Sequence, residues 1–316
     1  MASYLRAAWA TKSPDAPQLT TKESLKAWWR ACRPPFFIVD LIPIGLGFVL
    51  AQKTLGYWPW FTCLVTLFAF FCIHTVANIA NDLFDYLEGV DTEETIGGTG
   101  IIQNGLISPR AICIAIIGLV AATLVSGGWL IIQSNQAWLW FVLAFGIFSA
   151  VFYVAPPIRY GCRGYGELFV GLNMGFGMVA VSYAVMAKDF TPVCLALALP
   201  VALMVAGILY YQSMPEIETD FAAGKLTLAN ILGKDRAALV FQLWWPAVWI
   251  LMLNLWACGL VAWPVFLCLL TYPLYHKTCR YIANVMEWLT LDEHGHLVRK
   301  LYLINGALLV AAAWCM

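Results

Sequence analysis

The feature that most constrains this chain is a succession of long apolar blocks separated by short polar segments. Nine can be marked off, at residues 36–52, 60–82, 110–133, 137–155, 166–187, 192–213, 237–257, 259–276 and 300–316. Each approaches the ~20 residues that an α-helix needs to cross a ~30 Å hydrocarbon layer. Helices are the natural choice, because lipid offers backbone polar groups no partner and each segment must satisfy its own. The blocks do not alternate with period two, which argues against a β-barrel. Composition agrees: 62% of the 316 residues are hydrophobic and 11% charged, where a soluble domain carries about 25% charged residues. The expected fold is an all-α polytopic membrane protein of about nine transmembrane helices.

Charge placement orients these spans. With nine crossings, the N-terminal side holds the N-terminus and the loops after spans two, four, six and eight. That side carries 16 of the 18 Lys and Arg residues, and the opposite side only Lys53 and Lys188. Positive residues stay in the cytoplasm, so the N-terminus and those four loops are expected there, as in a multi-pass protein of a bacterial inner membrane. Trp58, Trp60, Trp138 and Trp140 fall near the outer ends, where an aromatic belt belongs. Residues 1–33 are too polar for a signal peptide and read as a cytoplasmic lead-in with an amphipathic segment around Leu25–Trp29; residues 34–316 form one transmembrane domain. The ten cysteines are scattered, with no CxxC pair, and read as apolar filler. A formal net charge of zero argues against nucleic acid as a partner; membrane lipid is the expected surrounding.

The 18 acidic residues are unevenly spread, and six fall between Asp82 and Glu94, at the cytoplasmic end of span two. Asp82 and Asp85 are three apart, so a continuing helix places them on one face, with Asn78 and Asn81 a turn earlier. Ionised groups beside lipid are costly, and a divalent cation is the economical compensation. One or two carboxylates, with phosphate oxygens completing the shell, describe a Mg²⁺–phosphate site. A second cluster, Glu216-Ile217-Glu218-Thr219-Asp220, closes span six, followed by Gly224-Lys225. The two clusters lie four spans apart on one expected side, which suggests a weak four-plus-four repeat with a ninth helix appended. Two such acidic pairs, each with a cation, can clamp one diphosphate.

These residues resemble a known family. NDLFDYLEGVDT, from Asn81 to Thr92, is similar to the first aspartate-rich motif of the UbiA superfamily of intramembrane prenyltransferases. Its GxDT ending is closest to the 1,4-dihydroxy-2-naphthoate prenyltransferases of menaquinone synthesis. EIETDFAAGKLTLANILG, from Glu216, resembles their second motif. Tyr153–Gly175 and Gly97–Arg110 are similar to the loops entering the fifth and third helices of that subgroup. Two departures stand out: Glu216 where Asp is usual, and Thr99-Gly100 where the subgroup tends to carry Ser-Arg.

The resemblance implies a Mg²⁺-dependent enzyme that joins a polyprenyl diphosphate to an aromatic acceptor. Asp82 and Asp85 would hold one Mg²⁺ and Glu216 and Asp220 the other, with Asn78, Asn81, Asp91 and Glu218 as further or supporting ligands. Lys225, Arg159 and Arg163 would grip the diphosphate. Tyr153, with Tyr86, Tyr160 and Phe84, would stabilise the allyl cation through ring faces. No sequence position marks the base that takes the acceptor's proton, though His74 lies inside span two. Asp40, in span one, either pairs with a cytoplasmic-side cation or lines the acceptor pocket. Gly171, Gly175 and Gly177 permit close helix approach. The competing readings are a terpene cyclase using the same ionising site and, further off, a membrane transporter with polar groups near the midplane.

Overall fold

A computed structural model describes residue 8, residues 19–89 and residues 98–316; Asp91 and Gly97 lie outside the described residues. Among the described residues the regular structure is helical throughout. Seven helices are long and apolar enough to cross a membrane. Two of the nine expected spans take other forms. The fourth is a 14-residue apolar helix, Leu139–Phe152. The eighth is a 3₁₀ segment, Trp263–Thr271, that continues as an α-helix to Asn284.

The chain enters through α1 (Thr21–Cys32), started by a capping box in which Thr20 and Glu23 satisfy each other's backbone amides. Leu25 and Trp29 stand exposed on one side of α1, while Ala27 and Ala31 are buried on the other, against Ile79 and Leu83 and the Ile101–Ile107 segment. Arg33 ends it in the left-handed region, before Pro34. Next come α2 (Ile38–Leu55), α3 (Trp60–Glu88), α4 (Pro109–Ser134) and α5 (Leu139–Phe152). At 29 residues, α3 is about 43 Å long and overruns a ~30 Å hydrocarbon layer. Its last turns, which carry Asp82, Asp85 and Glu88 of the first acidic cluster, are thus helical and project beyond the expected limit at residue 82.

The second half comprises α6 (Gly166–Ala187), α7 (Val193–Ser213), the short α8 (Ile217–Ala222) and α9 (Leu228–Leu232), α10 (Lys234–Ala257), α11 (Tyr272–Asn284) and α12 (Gly295–Trp314). Helix α2 packs on α6, α3 on α4, α7 on α10, and α12 returns against α2. Gly171 and Gly175 face α7: a Cβ on Gly175 would lie 2.4 Å from Ala202. Gly177 does not share that role, since a Cβ there would meet only the Leu172 carbonyl of its own helix. Gly177 stands two residues past Gly175, which puts it on the opposite side of the helix whether residues 171–177 wind as the observed π-helix or as an α-helix.

Large apolar side chains, among them Phe61 and Leu64 on α3, Val125 and Ile132 on α4 and Ile250 on α10, point outward. A water-soluble chain does not leave so much apolar surface bare, and the molecule is an integral multi-pass membrane protein. Trp58, Trp60 and Trp314 stack together at the end opposite the acidic clusters, with centroids 5.4 and 6.0 Å apart.

Candidate active site

Helix α3 presents His74, Asn78, Asn81 and Asp85 to a polar cavity of about 720 Å³. At about 100° per residue these four positions share an arc of roughly 60°. Asp82 lies about 40° beyond Asn78, outside that arc and absent from the cavity wall. Its Oδ1 accepts from Arg33 Nη2 at 2.6 Å, and its Oδ2 from the Thr99 hydroxyl at 2.6 Å. Asp82 and Asp85 therefore do not open onto the cavity together. Asp85 lines it, while Asp82 is engaged in holding Arg33 and residue 99 at its rim.

The second acidic cluster reaches the same cavity by a different local route. Pro215 cannot extend α7, so the chain turns, and Glu216 opens α8. Glu216, Thr219 and Asp220 line the cavity, one helical turn apart. Gly224 takes a positive φ of 72°, which turns the backbone so that the Lys225 amide bonds the Asp220 carbonyl at 2.8 Å. Lys225 Nζ then lies 3.2 Å from Asp220 Oδ1, while Asp220 Oδ2 is buried with no hydrogen-bond partner. Burial pushes the Asp220 carboxyl above the usual range, and Lys225 partly offsets it. Burial by itself would discharge Lys225, but Asp220, Asp85 and Glu216 outweigh it and hold the ammonium firmly charged. One lysine thus feels both acidic clusters, which the fold has brought together. Glu218 points the other way, exposed and paired with Lys234 at 2.6 Å, so the expected role as a ligand does not fit its position.

The remaining sequence candidates divide. Tyr153 lines the cavity, its ring packed over Gly161 and edge-on to Tyr160. Arg159 is ion-paired with Glu88 at the end of α3, and Arg163 donates to the Pro157 carbonyl at 2.8 Å. Neither arginine lines the cavity. Their loop serves it indirectly: Leu226 N–H donates to the Cys162 carbonyl and Gly164 N–H to the Leu226 carbonyl, each at 2.9 Å, tying residues 160–165 to the Lys225 turn. Phe84 is buried against Val154 and Ala155, and Tyr86 packs towards Ile79 and Leu83; neither ring faces the cavity.

Sequence reasoning missed Arg30 and Arg33, which reach the cavity from α1, along with the buried Glu167, the half-buried Gln212 and the exposed Asp292. By sequence the lead-in's basic residues are topology signals, and only tertiary packing of α1 on α3 brings them here. Arg30 Nη2 lies 3.9 Å from where a Cβ on Gly100 would stand, so a cation from α1 occupies the neighbourhood of the missing residue-100 side chain.

A second, apolar chamber of about 190 Å³ adjoins the first, lined by residues such as Leu130, Leu143, Phe169 and Val185. The two share His74, Ala77, Tyr153, Val170 and Met174. At this junction His74 Nδ1 lies 2.9 and 2.8 Å from the two carboxylate oxygens of Asp40, which gives Asp40 the partner that sequence left open. A polar head chamber continued by a greasy one suits an amphiphile with a charged head and an apolar tail. Among the described residues no three His, Cys, Asp or Glu side chains form a ready-made metal cage. A cation here would have to be completed by oxygens from its ligand, as Mg²⁺–phosphate sites are.

Residues 41–285 match the UbiA prenyltransferase family. A 1,4-dihydroxy-2-naphthoate octaprenyltransferase of Haemophilus influenzae is 28% identical over 269 residues, covering 81% of this chain and 85% of that protein. A 2-carboxy-1,4-naphthoquinone phytyltransferase of Synechocystis is 25% identical, covering 86% and 87%. In fold, the chain is similar to a UbiA homologue from Archaeoglobus fulgidus solved with DMAPP and Mg²⁺ bound, at a TM-score of 0.58 and 16% identity, covering 90% and 99%. With the family matched over most of its length and the two acidic clusters joined on one cavity, this chain belongs to the UbiA prenyltransferase family and is a prenyltransferase.

Proposed function

We propose that the protein transfers a polyprenyl group from an allylic prenyl diphosphate to a naphthoate-type aromatic acceptor, with Mg²⁺, as a step in quinone synthesis. The names of the relatives support the donor and acceptor classes. The observation that carries the reading is the meeting of Asp85, Glu216, Asp220 and Lys225 on a polar cavity that adjoins an apolar chamber. The diphosphate belongs in the first and the start of the prenyl tail in the second.

The donor set fits Mg²⁺: hard carboxylate oxygens from Asp85, Glu216 and Asp220, with Asn78 and Asn81 beside them and the unpartnered Asp220 Oδ2 among them. When bound, Mg²⁺ supplies Lewis-acid stabilisation of the negative charge that gathers on the leaving diphosphate. The chain's own residues do the rest. Lys225, with Arg33 at the rim, orients the diphosphate and neutralises part of its charge. Tyr153, at the junction, offers its ring to the developing allylic cation, an interaction that contributes about 2 kcal/mol when desolvated. The apolar chamber excludes the water that would quench that cation. Asp82 acts by holding Arg33 and Thr99, and Arg30 provides the charge that a naphthoate carboxylate needs. The positive-inside pattern supports an active site facing the cytoplasm.

The test is product analysis with purified protein in nanodiscs, Mg²⁺, geranylgeranyl diphosphate and 1,4-dihydroxy-2-naphthoate. The expected product is a prenylated naphthalene formed together with diphosphate. A cyclic hydrocarbon formed without acceptor would replace this reading with a cyclase.

A further inference from the structure

We propose that His74, held by Asp40, is the base that removes the hydroxyl proton of the aromatic acceptor as the new carbon–carbon bond forms. This rests on the prenyl-transfer reading above.

Position is the first argument. With the diphosphate in the polar chamber and the tail in the apolar one, the allylic carbon lies at their junction, and the acceptor's attacking carbon must meet it there. Of the five residues shared by the two chambers, Ala77, Val170 and Met174 carry no titratable group, which leaves His74 and Tyr153. A phenol is a far weaker base than an imidazole at neutral pH.

Geometry is the second. Asp40 is completely buried in the first turn of α2, an expensive place for a carboxylate. Both its oxygens face His74 Nδ1, at 2.9 and 2.8 Å. That arrangement makes Nδ1 the donor and leaves the Nε2 lone pair as the proton acceptor. The Phe37 ring lies edge-on to the imidazole at 5.4 Å and stacks on Phe71 at 5.0 Å, fixing the ring plane. The Val39 carbonyl beside Asp40 accepts from the Tyr302 hydroxyl at 2.5 Å, which anchors the start of α2. An acidic partner on Nδ1 fixes the tautomer and orientation of the imidazole, the arrangement a general base requires.

The step balances as follows. The acceptor's O–H proton passes to His74 Nε2, and the oxygen's electrons move into the ring. The ring carbon forms a bond to the allylic carbon as that carbon's bond to the diphosphate oxygen breaks. The ring then gives up its C–H proton to solvent, restoring aromaticity, and His74 returns its proton to the oxygen. The sum is prenylated acceptor, diphosphate and one proton.

The experiment uses full-length protein in nanodiscs with Mg²⁺, geranylgeranyl diphosphate and two acceptors. One is 1,4-dihydroxy-2-naphthoate, and the other is a ring-fluorinated analogue whose hydroxyl is already ionised at the assay pH. His74→Gln, which keeps a donor for Asp40, should lower kcat on the first acceptor about 100-fold. Its KM for the diphosphate should stay within about twofold, and on the ionised acceptor it should come within about fivefold of wild type. Asp40→Asn, at a positioning residue, should lose about 10-fold and recover likewise. Equal impairment on both acceptors, or near-wild-type turnover on the first, overturns the inference. If a variant does not fold, the wild type decides: a mono-O-methylated acceptor should react about 100-fold more slowly, and an unchanged rate overturns the proposal. Wild-type protein that releases diphosphate yet prenylates neither acceptor overturns the functional reading, and this inference with it.

Discussion

Asp82 and Asp85 are three residues apart and chemically identical, yet the fold gives them different surroundings. Asp85 faces the cavity; Asp82 is turned into Arg33 and Thr99. The account predicts that their asparagine variants fail differently. Asp85→Asn should cut diphosphate release by about 100-fold, because charge aimed at the ligand is lost. Asp82→Asn should lose activity and also about 2 kcal/mol of stability, since its charged hydrogen bonds hold α1 to α3. An Asp82→Asn variant that melts as the wild type does would contradict the role given to Asp82. Glu216→Asp should keep activity within about 10-fold, because the carboxylate is retained and only its reach changes. Sequence made the acidic residues and Lys225 legible, because clustered charge at the end of an apolar block is rare and expensive. It could not tell Asp82 from Asp85, because a helical face is read relative to a partner that only the tertiary fold supplies.

At the scale of elements, the long helices were legible and the irregular ones were not. Hydropathy finds α2, α3, α4, α6, α7, α10 and α12, with only the end of α3 and the start of α12 shifted by more than a turn. It does not see that residues 171–177 form a π-helix, or that the eighth span begins as 3₁₀, because both keep an apolar composition while changing only the hydrogen-bond step. Nor does it separate α8 from α7, where Pro215 redirects the chain to aim Glu216 and Asp220 at the cavity. The α6–α7 contact is testable. Gly175→Val should cost about 1–3 kcal/mol by thermal unfolding, because a Cβ there would lie 2.4 Å from Ala202. Gly45→Ala, with nothing within 4 Å of the added Cβ, should be neutral or stabilise by about 0.5–1 kcal/mol. Similar losses for both would mean that α6 and α7 do not pack through this glycine.

For the whole molecule, the apolar blocks gave the class, and the positive residues gave an orientation that is open to direct measurement. In a cysteine-free background, Ala223→Cys beside the acidic cluster should react with a membrane-impermeant thiol reagent only from the cytoplasmic side, and Gln136→Cys only from the other. The meeting of the two acidic segments was expected from the sequence; what lay beyond it was the rest of the convergence around Lys225, with α1 supplying arginines and α2 and α3 pairing Asp40 with His74. That convergence is the central claim, and one titration addresses it. Diphosphate release from geranylgeranyl diphosphate would be followed against Mg²⁺ concentration for wild type, Asp85→Asn and Asp220→Asn, all shown to be folded. The account predicts saturable, Mg²⁺-dependent release in the wild type and about a 100-fold loss in each variant, one from either half of the chain. Full release by either variant, or release by the wild type without any divalent cation, would contradict it.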